Sequence, residues 1–116
     1  MGRLGERLAA QALRERGYYI LEQNFRCRHG EIDLVAEDAQ DLVFVEVKTR
    51  RGNVFGLPEE AVTRTKRRKL AQVASYYLDL HAATERSWRI DVVAVQFSRY
   101  GRLEEIRVYQ HAVSQE

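Results

Sequence analysis

The apolar run Leu42-Val43-Phe44-Val45, leading into Glu46-Val47-Lys48, has a β-branched, apolar start that predicts a buried strand. A period of two puts Val43, Val45 and Val47 on one face and Phe44, Glu46 and Lys48 on the other. Strands that are apolar on both faces lie inside a sheet. Two charges in such a strand would cost several kcal/mol if buried without partners. Either Glu46 and Lys48 neutralise each other, or their end of the strand opens into a site.

The rest of the pattern gives elements on both sides of this strand. Leu4 to Arg16 reads as a helix, with Leu4, Leu8, Ala9, Ala12 and Leu13 on one face and Gly17 as its cap. Glu6 falls in its first turn, where the helix dipole favours an acid. Tyr18 to Arg26 is a strand, and Arg26 to Gly30 a basic turn. Cys27 and His29 are too few for a metal site; Cys27 reads as a packed residue and His29 as a solvated one. Glu31 to Glu37 is a second strand, with Ile32, Leu34 and Ala36 facing one way and Glu31, Asp33 and Val35 the other. The short link Asp38 to Asp41 makes a hairpin into the central strand. Asp33 and Glu46 are then on adjacent antiparallel strands, and in register their carboxylates project from one face.

Arg51 to Pro58 is a loop in which Phe55 and Leu57 need cover, from the core or a second subunit ahead of unstacked bases. Glu59 to Leu80 is a long helix with Ala61, Val62, Leu70, Val73, Ala74, Tyr77 and Leu78 as its stripe. Trp88 to Phe97 is a fourth strand, parallel to the central one because a helix crosses between them. Arg89 and Asp91 share a face of it and can pair. Leu103 to Tyr109 is a short edge strand, and the chain from His111 a fraying tail. The class is α/β: a mixed sheet of four or five strands flanked by helices, in the order αβββαββ, forming a single domain over residues 1–116.

Composition narrows the setting. In 116 residues, 45% hydrophobic and 31% charged content favours a folded, non-disordered chain. The longest apolar runs fall far short of the roughly 20 residues that span a bilayer. The N-terminus lacks the apolar core of a signal peptide, and a lone cysteine excludes an internal disulfide. A cytoplasmic protein with no membrane partner is expected. Net charge is only +2, but it is concentrated: residues 49–69 carry 7 basic and 2 acidic groups. Arg50, Arg51, Arg64, Lys66, Arg67 and Lys69 make up most of that block. Like charges three and four apart repel along a helix. Phosphate binding, which gains affinity by displacing counterions, is a physical reason to tolerate the repulsion.

Acids on the first helix and second strand, with an acid and a lysine two apart on the third, form a set suited to phosphodiester hydrolysis. Mg²⁺ takes oxygen ligands and commonly uses one or two carboxylates. Asp33 and Glu46 suit that ligand role, for Mg²⁺ or Mn²⁺. Lys48 suits the holding of a water or of the developing charge. Glu6 completes the cluster if the first helix packs across the strand ends.

Gly5-Glu6, Gly30-Glu31-Ile32-Asp33-Leu34-Val35-Ala36, Val43-Phe44-Val45-Glu46-Val47-Lys48 and Phe55-Gly56-Leu57-Pro58-Glu59-Glu60-Ala61-Val62 together resemble the YraN family of small bacterial proteins, from near the N-terminus through Val95. An Asp followed by Glu-x-Lys also resembles the PD-(D/E)XK nuclease superfamily, which includes archaeal Holliday-junction resolvases. That resemblance implies a restriction-endonuclease-like fold with Asp33, Glu46 and Lys48 at the signature places and Glu6 as accessory acid. Ile32 stands where the superfamily's name has proline, which is not a ligand. Three readings follow. The first is a Mg²⁺-dependent endonuclease acting on branched or damaged DNA, as a homodimer if it cuts two strands. The second is a non-catalytic nucleic-acid-binding module, or an adaptor for a DNA-processing protein. The third is purely structural, with Glu46–Lys48 and Arg89–Asp91 as ion pairs.

Overall fold

A computed structural model describes residues 2–52 and 64–113. Its elements are α1 (Gly2–Glu15), β1 (Tyr19–Cys27), β2 (Gly30–Glu37), β3 (Leu42–Arg51), α2 (Arg64–Leu80), β4 (Trp88–Phe97) and β5 (Leu103–Val113). The strands form one sheet in chain order, β1-β2-β3-β4-β5. Only β3 and β4 are parallel; the other neighbours are antiparallel. The expected order of elements and the mixed α/β sheet are therefore what the chain adopts.

Each face of the sheet is covered by one helix. Ala9, Ala10 and Leu13 of α1 pack on Leu34, Ala36, Val43, Val45, Val93 and Val95. Leu70, Val73, Ala74, Tyr77 and Leu78 of α2 pack on Ile32, Val35, Phe44, Ile90 and Val92. Adjacent apolar residues in β3 and β4 thus serve opposite layers, which is why both strands read as near-continuous apolar runs. Gly5 lets α1 approach β3 closely: a Cβ there would collide with Thr49 Oγ1.

Several details depart from the sequence reading. Helix α1 starts at Gly2, so Glu6 lies beyond its first turn and gains less from the helix dipole. Strand β5 does not fray at His111 but runs to Val113, which pairs with Ile90 across a register shift. The continuing edge of β4 offers backbone partners that hold it. His29 is half-buried rather than fully solvated, its ring 6.1 Å from that of Tyr76. Ile32 faces α2 with Val35, not α1 with Leu34 and Ala36, so the alternation of β2 breaks at Asp33. The predicted helical turn from Glu59, together with Ala61, Val62, Phe55 and Leu57, lies outside the described residues.

The expected Arg89–Asp91 pair is the centre of a larger buried network. Arg89 is 4% exposed and Asp91 0%. The Arg89 guanidinium donates Nε to Asp91 at 3.0 Å, Nη1 to Asp41 at 2.7 Å and Nη2 to the Tyr18 hydroxyl at 2.8 Å. Asp38 Oδ2 is 2.8 Å from Nη1. Burial alone would raise the Asp38 pKa, but amide donors at Asp41 and Gln40 and the guanidinium outweigh it and hold the carboxyl down at about 2. The Ser87 hydroxyl first, then Arg89, lower that of Asp41. The network ties the β2–β3 hairpin and the start of β1 to β4.

Candidate functional site

The β2–β3 ladder runs from Glu37↔Leu42 to Leu34↔Val45, and there it stops. The next rung would set Asp33 opposite Glu46. Instead Asp33 Oδ2 accepts a hydrogen bond from Val47 N at 2.7 Å, so a side-chain oxygen replaces the missing strand acceptor. On the other side Asn24, which sits between the pairs Gln23↔Leu34 and Phe25↔Ile32, has φ 55°. A left-handed residue there kinks the β1–β2 ribbon where it leaves β3. The carboxyl of Asp33 therefore lies in the wedge between two parting strands.

Glu46 is the last buried residue of β3, at 8% exposed, before Val47, Lys48, Thr49 and Arg50 become half-buried. It continues the face of Phe44, toward α2. Its Oε2 is buried without a hydrogen-bond partner among the described residues. What that oxygen does have is the ammonium of Lys66, 3.2 Å away, an ion pair whose geometry is not that of a hydrogen bond. Asp33 and Glu46 line a cavity of about 290 Å³ with Gly30, Glu31, Lys66 and Lys69. One wall is carboxylate and the opposite wall, from α2, is ammonium.

The acids affect one another. Burial first, then a hydrogen bond to the Glu46 carboxyl and the charges of Glu46 and Glu6, push the Asp33 pKa up to about 7, against the lowering effect of Val47 N–H. Glu6 borders a neighbouring cavity of about 480 Å³ with Arg3, Arg7, Gln23 and Asn24. It thus reaches the pair by its field from the next cavity. Among the described residues, no three His, Cys, Asp or Glu side chains converge tightly enough to hold a metal alone. Two crowded carboxylates with hard oxygen donors still suit Mg²⁺, which keeps several waters and takes phosphate oxygens.

A pH dependence follows. The folded chain holds a proton on Asp33 that the unfolded chain releases near its ordinary value of 3.8. Between about pH 4 and 7 the folded state binds more protons, so this contribution to stability is lost as pH rises through that window. Urea unfolding in EDTA should show the decline, and Asp33→Asn should flatten it.

Lys48 shares the parity of Glu46 along β3 but is not among the residues lining the cavity. Among the described residues Glu46 pairs with Lys66 and no Glu46–Lys48 ion pair forms, which corrects the self-neutralising reading. Arg50 is half-buried on the Glu46 face, and Arg51 is exposed at the strand end. Arg64, Arg67 and Lys69 are exposed on α2, while Lys66 turns inward. The helical spacing carried a signal for that inward turn, because Lys66 precedes Leu70 by four residues and Val73 by seven and so falls on the stripe that packs on the sheet.

A family model described as "Uncharacterised protein family UPF0102" matches residues 5–95. A UPF0102 protein of Moorella thermoacetica is 45% identical over 111 residues, covering 96% of this chain and 92% of the relative. One of Symbiobacterium thermophilum is 49% identical over 112 residues, covering 97% and 94%. One of Beutenbergia cavernae is 50% identical over 109 residues, covering 92% of each. These names state no activity.

Proposed function

The chain belongs to the uncharacterised protein family UPF0102, and we propose that it is a metal-dependent endonuclease acting on structured, branched or damaged DNA. One observation carries the reading: Asp33 and Glu46 meet where β2 and β3 part, opposite the lysines of α2. Asp33 and Glu46 would hold Mg²⁺ or Mn²⁺. Bound there, the ion supplies Lewis-acid stabilisation of a phosphoryl oxygen and a water of lowered pKa. Asp33 has to release its proton first, which favours activity above about pH 7. Lys48, two residues beyond Glu46, orients the attacking water or stabilises charge on the phosphate. Lys66 and Lys69 meet the phosphate from the α2 side. The accessory role of Glu6 is to raise the negative potential at the pair. No helix among the described residues is long and apolar enough to cross a membrane.

The non-catalytic reading draws on the Lys66–Glu46 pair, which neutralises a ligand carboxylate with no metal. Labelled four-way junction, flap and single-stranded DNA, incubated with the protein in Mg²⁺, Mn²⁺ or EDTA, separates the two. Cutting only with metal supports the endonuclease. Binding without cutting in any metal supports the module or adaptor, and no binding returns the site to a structural role. A homodimer would place two such sites for paired cuts.

The exposed cations give a graded expectation. Arg67→Ala and Lys69→Ala should weaken DNA binding uniformly across sequences. Each should also lower the slope of log K against log salt by about 0.9 for every phosphate the protein no longer neutralises. Fluorescence anisotropy at several salt concentrations reads both.

A further inference from the structure

The turn Ser98-Arg99-Tyr100-Gly101 joins β4 to β5, and it displays Tyr100 at 86% exposure. An aromatic ring so exposed gains nothing from burial in the folded chain. Yet its backbone is held firmly. Gly101 N donates to Ser98 O at 3.0 Å and Ser98 N to Arg102 O at 2.7 Å. The Ser98 hydroxyl accepts from the amides of Tyr100 and Arg102 at 3.2 and 3.1 Å. Gly101 sits at φ 85°, and a Cβ there would strike the Arg51 guanidinium. The positive φ is what calls for glycine here, since the exposed Arg51 side chain could swing aside.

Cations gather at this turn. The Arg99 guanidinium carbon is 5.6 Å from its centroid. Arg51 lies against Gly101, and exposed Arg102 follows. A neighbouring cavity of about 620 Å³ is lined by Gly52, Ser98, Arg99, Tyr100 and Glu104. Of these, Arg99 and Glu104 are the charged residues.

The turn is also tied to the strand that carries Glu46. Arg51 is in register with Phe97. Gly52 N donates to Phe97 O at 3.0 Å, and Gln96 Nε2 donates to Gly52 O at 2.8 Å. From Glu46 to Arg51 the strand advances by roughly 17 Å at about 3.3 Å per residue. That is about five nucleotides of one duplex strand at roughly 3.4 Å each.

We propose that the β4–β5 turn is a stacking platform for an unpaired nucleobase, with Tyr100 as the ring and Arg51, Arg99 and Arg102 on the adjoining phosphates. It deepens the nuclease reading and rests on it: a platform a few nucleotides from the carboxylates selects nucleic acid in which duplex gives way to single strand. Aromatic rings stack on any base, so the selection is for structure and not for sequence.

The test uses the full chain with a blunt duplex and the same duplex carrying a single-stranded tail, the tail containing 2-aminopurine, in EDTA and again in Ca²⁺. The wild type should bind the tailed duplex more tightly and change the 2-aminopurine emission. Tyr100→Ala should weaken tailed-duplex binding by about 5- to 150-fold, the range of base–aromatic stacking. It should also abolish the emission change and leave blunt-duplex binding intact, while Tyr100→Trp should retain all three. Unchanged tailed-duplex binding by Tyr100→Ala overturns the platform. Equal wild-type affinity for both duplexes overturns the platform alone, whereas binding of neither overturns the nucleic-acid reading as well.

Discussion

Asp33→Asn and Glu46→Gln are each expected to lower metal-dependent DNA cleavage by about 1000-fold or more. The figure follows from the metal's transition-state stabilisation, worth several kcal/mol, at about 1.4 kcal/mol per factor of ten. The substitutions are chosen to spare the fold. Asparagine keeps an oxygen for Val47 N–H, the bond that holds the wedge between β2 and β3. Glutamine keeps the shape of Glu46 where its Oε2 is buried. Binding of the same DNA in EDTA should change little, because the exposed cations of α2 are untouched. Lys48→Ala should cost about 100- to 10,000-fold, as expected for a positioned proton-transfer group. Single-turnover cleavage of a labelled flap or junction reads all three. Full activity in either carboxylate variant would remove that residue from the mechanism.

Arg89→Ala should be the most destabilising of these substitutions, by about 3–5 kcal/mol in urea unfolding. It leaves Asp91, 0% exposed, without the guanidinium it bonds at 3.0 Å, and deprives Asp38 and Asp41 of theirs. Arg89→Met combined with Asp91→Leu should recover much of the loss, because apolar replacement of both partners leaves no stranded charge at that pair. The acid limb gives a separate sign. Asp38 titrates near 2 in the folded chain, so its contribution is present above its ordinary 3.8 and is lost as pH falls toward 2. Arg89→Ala should shrink that loss. Metal binding on the opposite, α2 face of the sheet should be unaffected if the variant is folded.

The part of this molecule legible in its sequence is the part governed by local period. Val43, Phe44 and Val45 alternate faces as read, and they place Glu46 on the α2 side. The stripe from Leu70 to Leu78 is buried as spaced. The short hairpin link sufficed to bring Asp33 beside Glu46. What escaped was set by tertiary geometry. Period-two reasoning put Ile32 with Leu34, but β2 leaves β3 at Asp33 and the alternation breaks there. Asn24, a residue tolerant of the left-handed region, was the one available hint. Lys66 reads as one more cation in a basic run, although its spacing to Leu70 and Val73 puts it on the packed stripe; its pairing with Glu46 depended on how α2 lies on β3. Arg89 and Asp91 were paired from spacing, while their ties to Asp38, Asp41 and Tyr18 needed chain ends from three strands to meet.

The central claim is that the carboxylates of Asp33 and Glu46, crowded in the gap between β2 and β3, bind one divalent cation between them. Titration of Mn²⁺ followed by electron paramagnetic resonance tests it without DNA or turnover. The expected result is one Mn²⁺ per chain, tighter at pH 8 than at pH 6 as Asp33 gives up its proton, and lost in both Asp33→Asn and Glu46→Gln. Mn²⁺ binding that survives both substitutions, or no binding by the wild type at pH 8, would contradict it.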